Sequence, residues 1–597
     1  MKKIFGLLEI LLMTYALTPG NLKVLSGELD GMKGELLFFA AGMGVILWLG
    51  RESNLKKNRW IWLLCAFLSF TTVQGRSYQE LGSWDYLFGS VGQFFIALLV
   101  MSGYFLLYLH LIALGEYVVT HFADIRRTEP CGKLEKLLFE EQPFWGIFIF
   151  AMIFALPYVI SFYPGVVQCD AFEQLYNYMG IIEFSNHHPV VSTKIMGACL
   201  ALGREVFGSD NIGFYIYNCT QSILQWAGIA YLLCVMKKMK TPIWIRWGSL
   251  LFLTVLPLYP RWGYTIVKDA QYYICLLYFM VSFADILLDG TKGRKHWKQI
   301  VFCIAVYGMV LCRKEGRYVV ALTLICYFIY HREQWKLYLF AGLTGFLMLF
   351  LVEQVYIPSH GIMEGRIAEA LSIPAQQTTR YAHEHRDEVT EEEYNVLSEF
   401  FDDYDALGPG YYGEVADGAK ARIIDNPTKE QLQAYFKVWF EQFCKHPDTY
   451  VQAFLNQTYG YFYINRYEPI GYVVISTLLG HDEFTMDVHH MDVSFLPQLK
   501  GIRKVLDDFT VLTTKLPLVS LLYSVGFHGY LLISCVICLC VQKRKKEILF
   551  MVPVLLVFLV CLLSPVNGEI RYMLPIMLLL PLDVAWCARV PERKNVE

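Results

Sequence analysis

The chain carries little charge and no excess of either sign: Asp, Glu, Lys and Arg make up 18% of its 597 residues, and their formal sum is -3. No basic stripe interleaved with aromatic residues is present, which argues against nucleic acid as a partner. A Walker loop, a Gly-rich dinucleotide turn and an HExxH helix are all missing, which argues against an ATP-driven pump, a nicotinamide enzyme and a typical zinc protease. There are 16 cysteines, yet only Cys169 and Cys444 fall clearly outside apolar stretches, where a thiol acts as a small apolar side chain. No essential disulfide is expected. Cys535, Cys538 and Cys540 have CxxC-like spacing but no histidine nearby, so they read as core packing.

What fills the chain instead is apolar surface. The hydrophobic share is 55% and the mean hydropathy +0.38, values of an all-α polytopic membrane protein. About fourteen apolar stretches approach the length needed for a hydrocarbon core of ~30 Å. Met1-Lys2-Lys3 followed by Ile4 to Leu17 has the look of a signal peptide. Pro19-Gly20-Asn21 is a poor cleavage site, however, so the stretch is read as the first membrane helix. Every second connection is basic, as at Lys56 and Lys57, at Lys237, Lys238 and Lys240, and from Lys543 to Lys546. By the positive-inside rule that side is the cytoplasm and holds both termini, in a multi-pass protein of the plasma membrane. Four parts follow. Residues 1–143 hold membrane helices and a cytoplasmic loop, and 144–352 form a membrane core with an outer loop at 163–211. Residues 353–516 are a mainly helical extracytoplasmic domain between the eleventh and twelfth spans, and 517–597 are the C-terminal membrane helices.

Within 353–516, Thr390 to Glu393 reads as a capping box and Asn426-Pro427 as an N-cap followed by proline at the first helical position. The acidic run from Glu384 to Asp405 reads as a solvated helix face, and the aromatic run Tyr459 to Tyr467 as a set of rings resting on lipid headgroups. His481, Asp482, Glu483, Asp487, His489, His490 and Asp492 look ligand-rich, but their spacing matches no standard motif and a polar loop is the preferred reading.

Charges on the outer side break the topological bias and invite a functional explanation. Asp170 follows the apolar helix Phe144 to Phe162, and its loop continues through Glu173 and Gln174 to His187 and His188. Arg261 and Lys268-Asp269 flank one outer turn, Arg313 and Arg317 another, and Arg571-Tyr572 opens the last helix. Arginine's planar fork suits phosphate oxygens, and together these cations suggest an anion site. The competing reading is local neutralisation, Lys268 by Asp269 and Arg313 by Glu315.

The order of these pieces resembles the GT-C class of integral-membrane glycosyltransferases, most closely a bacterial group within it of largely unassigned substrate. The resemblance is carried by Tyr163-Pro-Gly165 with Asp170 five residues on, His188-Pro189, Lys268-Asp269, Arg313 before Gly316, Ser372-Ile-Pro374-Ala-Gln376-Gln377, and Pro565-Val-Asn-Gly568 with Arg571-Tyr572. It spans most of the chain from Phe144 onward. It implies that the first large outer loop carries the catalytic acid and that the donor is a sugar on a polyprenyl phosphate. Many GT-C enzymes have an acidic pair where this chain has Asp170 and, three residues later, Glu173. Dependence on a divalent cation, Mg or Mn, is left open.

Chemistry points the same way. A sugar hydroxyl is a weak nucleophile, and a carboxylate in reach can take its proton as it attacks the anomeric carbon; Asp170 is the choice for that base. The departing lipid phosphate needs fixed positive charge, for which Lys268, Arg313 and Arg571 are the candidates, with His187 or His188 as hydrogen-bond donors. Glu173, Gln174, Asp269 and Tyr572 complete the expected substrate contacts. The acceptor would be an envelope glycan or lipid. Against this stand two alternatives: Asp170 as a helix cap with Glu173 completing a capping box, and the whole chain as a flippase or transporter of lipid-linked saccharide.

Overall fold

The computed structural model describes residues 2–18, 20–23, 35–290, 295–465 and 491–589. The part of the aromatic run beyond Asn465 and the His481 to His490 stretch lie outside the described residues. Nearly everything described is helical, as a chain that must satisfy its backbone polar groups internally within lipid requires.

The longer helices are, in order, α1 (Lys2–Leu17), α2 (Glu35–Leu49), α3 (Arg59–Leu81), α4 (Val91–His121), α5 (Pro143–Ser161), α6 (Cys169–Met179), α7 (Val190–Phe207), α8 (Asp210–Lys238), α9 (Ile243–Thr254), α10 (Lys268–Asp289), α11 (His296–Cys312), α12 (Gly316–Tyr330) and α13 (Trp335–Phe350). Then come α14 (Ser372–Glu384), α15 (Glu391–Phe400), α16 (Lys429–Lys445), α17 (Pro447–Thr458), α18 (Lys500–Lys515), α19 (Val525–Val541), α20 (Val552–Leu562) and α21 (Ile570–Ala588). Among the described residues, six helical runs are long and apolar enough to cross a membrane: Val91–His121, Pro143–Ser161, Asp210–Lys238, Lys268–Asp289, Arg332–Ser359 and Ile570–Ala588. Shorter apolar helices accompany them, including Ile4–Leu17, His296–Cys312 and Val525–Val541.

Burial sorts these runs into centre and rim. In the apolar windows of α10 and α21, 72% and 78% of residues are buried, against 22% in the run containing α13. The central helices α8, α10 and α21 pack on one another through Trp226, Tyr273, Phe279, Leu578 and Trp586. The rim helices leave large apolar side chains such as Leu98, Ile153, Leu343 and Leu347 on the surface. A surface of that kind is stable against hydrocarbon rather than water.

Between α13 and α19 the chain builds a helical segment with its own small core of Leu397, Phe400, Ile423 and Tyr435, in which the Phe400 and Tyr435 rings stack at 4.1 Å. Thr390 and Glu393 form the expected capping box. The second cap differs from expectation: Thr428, not Asn426, caps α16, with Gln431 completing its box. Asn426 instead takes a left-handed turn at φ 54°, so Pro427 lies before the cap rather than in the first helical position. The C-terminal membrane helices also begin later than the expected boundary at residue 517. A separate turn at Ser520–Tyr523 intervenes, and α19 starts at Val525.

One small element organises the rest. Val166–Val167 (β1) pairs in parallel with Thr265–Ile266 (β2), Val166 opposite Thr265 and Val167 opposite Ile266. Val166 N–H donates to the Tyr264 carbonyl and Gln168 N–H to that of Ile266, both at 3.2 Å. The chain enters β1 through Gly165 at φ 138°, where an added Cβ would stand 1.7 Å from Asn218 Nδ2; only glycine fits there. Since α6 follows β1 and α10 follows β2, the two helix N-termini emerge side by side.

Candidate functional site

That shared register brings Asp170 against Lys268. Asp170 lies in the first turn of α6, and Asp269 in the first turn of α10, where the positive end of a helix dipole favours a carboxylate. Lys268 Nζ is 3.1 Å from Asp170 Oδ2. The same oxygen accepts a hydrogen bond of 3.2 Å from Arg571 Nη1. The N-cap of α6 is Gln168 and no side chain caps the helix, so Asp170 is not the cap that the alternative reading expected.

Arg571 is delivered by a tied turn. Ala416 N–H donates to the Pro565 carbonyl at 2.7 Å and Asn567 N–H to that of Glu414 at 2.9 Å. The Glu569 carboxylate then caps α21 by accepting from Arg571 N–H at 3.1 Å. Arg313 follows α11 in extended backbone, ahead of a turn so close that a Cβ on Gly316 would meet the Met309 carbonyl oxygen at 1.9 Å. From there Arg313 donates to Asp269 Oδ1 at 2.5 Å and to Glu315 Oε2 at 3.1 Å. Its guanidinium lies 5.4 Å from the centre of the Tyr272 ring and 5.6 Å from that of Tyr572, within cation–π range of both.

The electrostatics follow from this packing. Burial alone would raise the pKa of Asp170, but Lys268, Arg571 and His188 outweigh it and hold the carboxyl well below the usual carboxylate range. Glu173 is likewise held low, chiefly by His188, whose Nε2 is 3.4 Å away. Burial and the neighbouring His188 push His187 down. Each expected cation therefore has a carboxylate partner, but only Arg313 with Glu315 follows the local pattern. Lys268 pairs with Asp170 rather than with Asp269.

Three expected members have partners of their own. Gln174 is fully buried and donates to Thr193 Oγ1 at 3.0 Å and Ser192 Oγ at 3.3 Å, so it joins α6 to α7. Arg261 turns to Asp507 at 2.6 Å, and Arg317 to Glu353 at 2.9 Å.

Sequence reading missed Lys314. It lines a small cleft with Arg313, Arg317 and Glu353 beside the apolar Val190, Val310 and Leu349. Among the described residues Lys314 forms no ion pair, and burial followed by the charge of Arg317 pushes its pKa down. The signal was present in Arg313-Lys314-Glu315-Gly316-Arg317, but three cations around one acid do not reveal which stays unpaired.

Glu173, His187 and His188 each offer a ligand atom within 4.8 Å of the others, which makes them the residues to test for a divalent cation. The fit is poor. Lys268 Nζ stands 2.6 Å from His188 Nδ1, and an ammonium can only donate. Nδ1 of His188 is thus taken up by Lys268 and is not open to a metal ion.

Fold and site together define an all-α membrane protein whose polar cluster gathers at the N-termini of α6, α10 and α21. Residues 179–597 match a family described as "Family of unknown function (DUF6020)", and the chain belongs to that family. The match takes in His187, His188, Lys268, Asp269, Arg313, Arg571 and Tyr572, and it begins just after Asp170, Glu173 and Gln174. Neither a curated protein nor a solved structure matches the chain.

Proposed function

We propose that the protein is a membrane glycosyltransferase that moves a sugar from a polyprenyl-phosphate donor to an envelope glycan or lipid on the extracytoplasmic side. In this reading about fourteen spans, both termini cytoplasmic, hold the cluster at the outer boundary of the plasma membrane. The single observation that carries it is Asp170 Oδ2 held between Lys268 at 3.1 Å and Arg571 at 3.2 Å. A candidate base and two candidate phosphate ligands occupy one contact.

A carboxylate gripped by two cations is a poor base. Donor phosphate relieves that grip, because its oxygens compete with Asp170 for Lys268 and Arg571. As those charges turn to the phosphate, Asp170 regains basicity next to the acceptor hydroxyl. The step then balances: the hydroxyl oxygen bonds to the anomeric carbon, its proton goes to Asp170, and the bond to the phosphate oxygen breaks with its electron pair. Lys268, Arg571 and Lys314 meet the developing charge.

Arg571 Nε also stands 3.7 Å from Asp269 Oδ2 in an ion pair, so this guanidinium links both carboxylates of the cluster. Lys314, at a cleft edged by apolar side chains, is a further cation for the phosphate.

The test is reconstitution of the purified protein in liposomes with a panel of polyprenyl-phosphate sugars, reading free polyprenyl phosphate. Turnover in the wild type and a loss of about 10²- to 10⁴-fold in Asp170→Asn are expected. A labelled lipid that crosses the bilayer with its sugar attached would instead identify a flippase.

A further inference from the structure

A second polar cluster lies in the helical segment between α13 and α19, on residues without a part in the reaction above. His385 ends α14, Glu388 lies in the turn that follows, and His446 joins α16 to α17. One ligand atom from each lies within 4.8 Å of the other two. His446 Nε2 is 2.8 Å from Glu388 Oε2, and His385 Nδ1 is 3.4 Å from Glu388 Oε1.

The protons on His385 can be assigned. Thr449 is fully buried, and its hydroxyl donates to Glu384 Oε2 at 3.0 Å. A hydroxyl has one proton to give, so its 2.9 Å contact with His385 Nε2 has the imidazole as donor. Nδ1 is then the atom of His385 that faces the Glu388 carboxylate oxygen.

We propose that His385, Glu388 and His446 form a site for a divalent transition-metal ion of the zinc class, which fastens the end of α14 to the junction of α16 and α17. Two imidazoles and a carboxylate are the donor set such ions prefer, with metal–nitrogen bonds of about 2.0 Å and an open fourth position. Binding draws in the half-exposed Glu388 side chain, at 53%, and turns the His385 and His446 rings, stacked here with centroids 3.6 Å apart, until both nitrogens aim at the ion. Thr449 and Glu384 form the outer hydrogen-bonded chain that orients a metal-bound imidazole. The contrast with His188 is direct, since there a lysine takes up Nδ1.

The full-length protein in detergent, stripped with chelator and titrated with Co(II) or Zn(II), tests this. The expected result is a single tightly held equivalent after desalting, a visible Co(II) absorption, and a higher melting temperature with metal. His385→Ala, His446→Ala and the surface change Glu388→Gln should abolish tight retention, and Thr449→Val should weaken it about 10- to 100-fold. The double variant His187→Ala/His188→Ala should retain the metal. Absence of tight binding in the wild type overturns the proposal, and so does binding that survives in His385→Ala and His446→Ala or disappears in the His187/His188 variant. A proton in place of the metal would show as pH-dependent melting without metal uptake, which also overturns it.

Discussion

Asp170 and Arg571, 401 positions apart in the chain, share a hydrogen bond of 3.2 Å. The contact closes the site from both ends of the sequence, and Lys268 completes it from the middle. Each partner is costly to remove, because the others then keep uncompensated charge in a largely buried place.

Asp170→Asn is therefore expected to do two things. Transfer should fall by about 10²- to 10⁴-fold, the range for loss of a general base. Melting temperature should also drop, since Lys268 and Arg571 lose their shared anion. Asp170→Glu keeps the charge, so it should recover most of the melting temperature without full activity. Differential scanning fluorimetry beside the liposome assay separates the two effects.

Lys314→Ala is the cleaner probe of the donor phosphate. Its ammonium has no carboxylate partner among the described residues, so stability should hardly change. Loss of one charge-assisted contact should raise the donor KM about 10- to 100-fold, the equivalent of about 1.5–3 kcal/mol. Arg313→Ala and Arg571→Ala should also weaken donor use more than acceptor use, but with lower melting temperatures, because Asp269 and Asp170 are left exposed to each other's charge. Equal effects on donor and acceptor would remove the phosphate role.

Glu173 supplies a pH signature. Its folded pKa is depressed by His188 and, more weakly, His187, so its contribution to stability is present above the unfolded value of about 4.3 and is lost as pH falls through the lower folded value. The melting-temperature gap between wild type and Glu173→Gln should accordingly be steady near neutrality and close in acid. A gap that widened on acidification would contradict the assignment.

Gly165→Ala tests how the site is assembled. A Cβ there meets Asn218 Nδ2 at 1.7 Å on a backbone at φ 138°, so the entry to β1 must distort, at a cost of roughly 1–3 kcal/mol for the backbone alone. Folded yield and melting temperature should fall. Asn218→Ala relieves the clash but not the backbone conformation, so the double variant should recover only in part.

The candidate site was legible in the sequence to the extent that charge is scarce. In a chain so poor in charge, Asp170, Lys268-Asp269, Arg313 and Arg571 stand out at the edges of apolar stretches, and the structure brings all of them into one network. Their partners were not legible. Neighbouring residues suggested that Lys268 pairs with Asp269, but a two-residue parallel ladder sets α6 beside α10 and gives Lys268 to Asp170. A ladder that short leaves no periodic pattern to find. Gln174 read as a site residue because its loop was polar, yet the helical turn of α6 points it at Ser192 and Thr193. In the fold, Thr390 and Glu393 announced their helix through residues three apart, whereas Asn426-Pro427 mimicked a cap two residues too early, since Thr428 and Gln431 make the same motif.

The measurement that bears most directly on the central claim is mass spectrometry of cell-envelope glycans and polyprenyl lipids from cells carrying wild-type protein, no protein, or Asp170→Asn at matched abundance. The account predicts that the deletion and Asp170→Asn lose the same sugar substituent and accumulate its polyprenyl-phosphate donor. Envelope glycans in the Asp170→Asn cells identical to wild type would contradict it.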